Sequence, residues 1–120
     1  MPWIEICHKT GYRYARAVSL GPHQMMLRPR ETRDLRLVNF DLDVSPSARV
    51  DWSNDVAGNA VAVATFEGAS DMLVMTARIV VDQTAPVWPV FPIAAHAVSY
   101  PFPYANEDLA DLRPLASPRY

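Results

Sequence analysis

From Trp3 to Thr10 the side chains alternate, with Ile4, Ile6 and His8 on one face and Trp3, Glu5, Cys7 and Lys9 on the other. A period of two predicts a strand rather than a helix. Gly11 interrupts the pattern and Tyr12-Arg13-Tyr14 resumes it, which predicts a bulge or bend at the glycine. A Gly21-Pro22 turn then leads to Met25-Met26-Leu27-Arg28, a short strand that Pro29 should stop. Between residues 35 and 44, Val38, Phe40, Leu42 and Val44 share one parity while Asn39, Asp41 and Asp43 take the other, so one face is expected to be buried and one wet. Ser45-Pro46-Ser47 turns the chain into a strand in which Ala48, Val50 and Trp52 alternate with Arg49, Asp51 and Ser53.

The cluster Asn54-Asp55-Val56-Ala57-Gly58-Asn59 reads as a hairpin loop, because its residues tolerate positive φ and hydrogen-bond their own backbone. Ala60 to Phe66 and Met72 to Val81 are apolar, β-branched runs joined by Glu67-Gly68-Ala69-Ser70-Asp71, which predicts a second hairpin. Only Thr76 and Arg78 break the apolar character of residues 72–81, as suits a central strand. Short strands punctuated by turns, with no helical period, predict an all-β fold: an antiparallel β-sandwich of about six to eight strands within residues 1–83.

After Thr84 the pattern changes, for seven of the eleven prolines lie in residues 84–120. Such a tail cannot supply a central strand and is expected to be mostly irregular. One short helix is predicted at 106–112, capped by Asn106 and ended by Pro114. Trp88, Phe91, Ile93, Tyr100, Phe102 and Tyr104 are large anchors that disordered linkers lack, so the tail is expected to pack against the sandwich or a second copy of the chain.

Composition narrows the function classes. The net charge of −2 conceals seven basic against three acidic side chains in residues 1–36, and four against ten in residues 37–120. With a pI of about 5.8 the basic cluster does not read as a nucleic-acid footprint; arginines on wet strand faces paired with acidic neighbours explain it. No basic segment followed by an apolar one opens the chain, and no apolar run is long enough to span a bilayer, so a cytoplasmic location without membrane attachment is expected.

Candidate chemistry is sparse. Cys7 is the single cysteine, which excludes an internal disulfide, and mid-strand it has neither a helix N-terminus nor a basic partner on its own face to activate it. A buried structural thiol is the expectation. His8, His23 and His96 lack the spacing of a metal site, and no cofactor is expected. The segment from Asp51 resembles a calcium loop but carries Val56 where glycine is required and Ala62 where a glutamate should close the cage. Asp41 and Asp43 share a strand face, the ordinary look of a solvated one. No phosphate loop, Gly-x-Ser-x-Gly elbow or His-Glu-x-x-His helix occurs.

The order of five short segments adds a further reading. His8 to Tyr14, Val18 to His23, Met26 to Arg30, Asp43 to Pro46 and Asp55 to Asn59 together resemble the N-terminal region of bacterial transglutaminase-like proteins, over roughly residues 3–82. The matching residues include Tyr12, Tyr14, Arg28, Pro29, Arg30, Pro46, Asp55, Gly58 and Asn59, to which fold-making roles are assigned: positive φ at Gly58, loop hydrogen bonds at Asp55 and Asn59, strand ends at Pro29 and Pro46. His23, Arg28 and Arg30 are the candidates for binding. The resemblance implies a non-catalytic module preceding a Cys-His-Asp core of the cysteine protease or acyltransferase type. No residue of this chain is then catalytic, and Cys7 does not correspond to the core's cysteine. Residues 84–120 would be the connection toward that core, and a chain stopping at Tyr120 would be truncated. The expected partner is the downstream core in cis or a second copy; the rival reading is a free-standing module binding a protein or peptide through a sheet edge or the aromatic tail.

Overall fold

The structure is a computed structural model that describes residues 2–88 and 90–118; Pro89, counted among the tail prolines, and the terminal Tyr120 lie outside these. Six strands form: β1 Trp3–Ser19, β2 His23–Met25, β3 Leu35–Ser45, β4 Ala48–Asn54, β5 Ala60–Phe66 and β6 Ala69–Gln83. They build two antiparallel three-stranded sheets, ordered β1-β6-β3 and β2-β5-β4. The fold is all-β, an antiparallel sandwich.

Small residues on one sheet let large ones on the other approach. Ala62 and Ala64 of β5 are fully buried and share a core with Leu73 and Met75 of β6, together with Leu20 and Met25. Tyr14, Leu42, Val44, Val50 and Phe66 close its margins. A second cluster, Ala77, Ile79 and Val81, occupies the other end of β6. Among the described residues, the partly buried hydrophobic side chains packed there come from β3 and from Leu27, with none from β4 or β5. On the β1 side Ile4 and Ile6 consequently stay 38% and 41% exposed.

Alternation predicted the strands better than their irregularities. Gly11 does not break β1: it pairs in register with Val74, and the register shift falls between Arg13 and Val18. A glycine costs a strand interior some entropy but leaves its extended geometry intact. In β3 a bulge lies between Leu37 and Asn39, so Leu35 and Leu37 share the half-buried face with Phe40, Leu42 and Val44 while Val38 is turned outward. The strand of Met25 to Arg28 is instead His23–Met25, and Pro29 lies beyond its end rather than stopping it. Pro46 does follow the last residue of β3, through a cis Ser45–Pro46 bond.

The second hairpin is a correction of another kind. Only Glu67 and Gly68 separate β5 from β6, yet the two strands belong to different sheets, so the connection carries the chain across the sandwich. β4 and β5 do form the first hairpin, pairing from Asn54↔Ala60 to Ala48↔Phe66. β6 is central, as its apolar character implied.

The chain divides into two compact units, one ending at Pro86 and one beginning at Val87. The second holds a 3₁₀ turn, Ala95–Ala97, and one helix, α1 Asn106–Ala116. Asn106 is the first residue of α1 rather than its cap, which is Ala105. Pro114 lies inside the helix instead of ending it. The stop is Ser117, held extended (φ −105°, ψ 135°) as the residue before a proline should be. Trp88 and Tyr100 are 85% and 92% exposed.

Candidate functional site

The β4–β5 loop is built by its own side chains. The Asp55 N–H donates to the Asn59 carbonyl (3.0 Å) and the Gly58 N–H to the Asp55 carbonyl (3.0 Å), which closes a three-residue loop with Gly58 at φ +79°. Left-handed backbone at this position is what such loops require, and only glycine adopts it without strain. The Asp55 carboxylate then accepts from the Asn59 backbone N–H (2.8 Å) and side-chain amide (2.9 Å). From the neighbouring segment the Arg30 guanidinium donates to the Ala57 carbonyl and to Asn59 Oδ1 (2.9 Å).

Arg30, far from the loop in sequence, thus joins Asp55, Gly58 and Asn59 in one hydrogen-bonded unit. Because both Arg30 bonds are solvent-exposed, Arg30→Met, which keeps the stem and removes the donors, should cost roughly 1 kcal/mol. A urea midpoint equal to the parent's would show that the arginine does not hold the loop.

Arg28 points elsewhere. Its guanidinium carbon lies 5.7 Å from the Phe40 ring centroid, and Phe40 meets Trp52 edge-to-face at 5.7 Å and 81°. These three with Leu42 and Val50 line an open cleft of about 230 Å³ between β3 and β4. Sequence reasoning passes over Phe40 and Trp52 as site residues. The available signal was the apolar parity each shares within its strand, Phe40 with Leu42 and Val44, Trp52 with Ala48 and Val50.

His23 does not join Arg28 and Arg30. It pairs with Ala64, toward the Phe66 end of β5, whereas both arginines line the cleft beside Ala60 at the other end. Its Nδ1 sits 2.8 Å from the Gly21 carbonyl and its ring packs edge-to-face on Phe66. The histidine is pinned as part of the fold. Tyr14 is half-buried against the core, and Tyr12, opposite Leu73, is 48% exposed.

Cys7 departs from expectation, for it is exposed. β1 is an edge strand, and its outer parity faces Arg78 rather than the core. That guanidinium is bonded to Asp43 at 2.9 Å, and His8 takes the opposite parity. Asp43 is accordingly a wet-face ion-pair partner, and Asp41, across from the same arginine, is exposed. Among the described residues no group of three or more His, Cys, Asp or Glu side chains could hold a metal ion, and no helix is long and apolar enough to cross a membrane.

What these residues can do together is hold a loop and line an aromatic cleft; no nucleophile, base and orienter converge on one point among them. Neither the curated proteins nor the solved structures yielded a match to the chain. The model of one family, the bacterial transglutaminase-like N-terminal region, matches residues 4–82. That span runs from the second residue of β1 to the penultimate residue of β6 and takes in every strand. The chain belongs to the bacterial transglutaminase-like N-terminal region family.

Proposed function

We propose that this chain is a non-catalytic accessory module that packs on a transglutaminase-type core of the same protein and shapes access to its cleft. The observation that carries the reading is the coincidence of the family match with the whole sandwich and with nothing beyond it. On this reading residues 84–120 connect the module to the core, which supplies the Cys-His-Asp chemistry of a cysteine protease or acyltransferase. The Phe40, Trp52 and Arg28 cleft supports it as well, because an aromatic surface with a cationic rim suits a polypeptide neighbour.

Two measurements test it. The reading frame beyond Tyr120 should continue into a helix that begins with a cysteine; a stop codon there would overturn the accessory role in favour of a free-standing binding module. The isolated chain should turn over neither amide nor glutamine-containing peptide substrates. Turnover that disappears in Cys7→Ser would make the chain an enzyme and remove the proposal.

A further inference from the structure

We propose that the free edge of β1 is a self-complementary surface on which a second copy of this chain pairs antiparallel, about a two-fold axis through Cys7. Among the described residues β1 is the edge of its sheet and pairs on one side only, with β6. The Gln83 N–H donates to the Pro2 carbonyl (3.2 Å), and the register continues from Trp3↔Asp82 to Arg13↔Met72 without a shift. Hydrogen-bonded and non-bonded pairs alternate in an antiparallel ladder, so the even residues of this stretch turn their backbone groups to β6. The odd ones, Trp3, Glu5, Cys7, Lys9 and Gly11, offer theirs outward.

Pairing two such edges joins odd residues to odd residues, and charge selects the register. Centred on Cys7, the pairing sets Glu5 opposite Lys9 of the second copy, and Lys9 opposite its Glu5. Centring the pairing on Glu5 or on Lys9 would set like charges face to face, which destabilises. Neither residue is already engaged: the ion pairs among the described residues are Arg36–Asp82, Arg49–Asp51 and Arg78–Asp43.

The same register places Trp3 opposite Gly11 of the second copy. Trp3 is 64% exposed, and a Cβ built on Gly11 would find nothing within 4 Å. An indole across from a bare strand glycine covers the backbone that the glycine leaves open. Two features that are liabilities in an isolated sheet, an exposed tryptophan and an edge glycine, thus complete each other twice. On the opposite parity Ile6 comes beside His8 of the second copy, lengthening the apolar strip that Ile4 and Ile6 begin. The interface is short, so the expected dimer is reversible rather than permanent. It stands independently of any catalytic core.

Sedimentation of the 120-residue chain over a concentration series should show a monomer–dimer equilibrium. Glu5→Lys and Lys9→Glu should each weaken it roughly tenfold or more, since each variant turns two attractive cross-strand pairs into repulsive ones. The double variant Glu5→Lys/Lys9→Glu should restore it. Far-UV circular dichroism confirms that each variant is folded.

Cys7 gives an independent readout. Hydrogen-bonded partners lie about 5.5 Å apart at Cα, inside the roughly 4.4–6.8 Å range of disulfides. The azo oxidant diamide, taking one hydrogen from each of two Cys7 thiols and becoming the hydrazine, should leave one intermolecular disulfide, more slowly in either single charge variant. A chain that stays monomeric at every concentration overturns the proposal. So does a dimer indifferent to Glu5→Lys, or one that the double variant fails to restore, since the contact would then lie on another surface.

Discussion

Leu73→Ala should lower the unfolding free energy by about 2–5 kcal/mol, the range for a buried leucine whose loss leaves a cavity. Leu73 is fully buried and is the largest such side chain among the described residues. It shares its cluster with Ala62 and Ala64, side chains too short to collapse into the space it would vacate. Poor collapse places the cost toward the upper part of the range. A urea titration followed by far-UV circular dichroism measures it as a shift in midpoint at constant slope. A loss below about 1 kcal/mol would mean that the two sheets do not meet across β5 and β6 as described.

Gly58→Val should cost roughly 1–3 kcal/mol, the price of forcing a β-branched residue into left-handed backbone. Crowding is not the cause, because a Cβ at Gly58 would first meet Arg30 Nη2 at 3.6 Å, an ordinary contact. The φ of +79° is what valine resists. Asparagine tolerates that region, so Gly58→Asn should retain most of the stability that valine loses. Thermal unfolding of both variants decides the matter, and a valine variant melting with the parent would show that the loop does not need left-handed geometry there.

Residue patterning revealed the strands but left the sheet assignments hidden. The run from Ala60 to Phe66 and the run to Val81 both announce buried strands, and Glu67-Gly68 announces a turn. A tight turn can return a strand beside its predecessor or carry it to the facing sheet, and no nearby residue distinguishes the two outcomes. The bulge in β3 left a trace that alternation alone obscures: Leu35 and Leu37 take odd positions and Phe40, Leu42 and Val44 even ones, a change of parity that an inserted residue absorbs. In the loop, Asp55, Gly58 and Asn59 were readable because turn chemistry is local. The place of Arg30 in that unit depends on a tertiary approach, and composition gave no hint of it. Cys7 misled because free cysteines are usually buried, and an edge position cannot be read from one strand's own sequence.

The place of β6 in its sheet governs how the chain can be made. Trp3 pairs with Asp82 and Leu35 with Gln83, so both outer strands of the β1-β6-β3 sheet depend on the last strand to be synthesised. While the ribosome is still adding residues 69–83, only the β2-β5-β4 half has all its strands, and β1 and β3 wait with both edges bare. Contacts so distant in sequence form slowly, and unpaired strands are where nascent chains aggregate. Recovery of folded chain should therefore depend on how long β1 and β3 wait for β6, and not only on the stability of the finished sandwich.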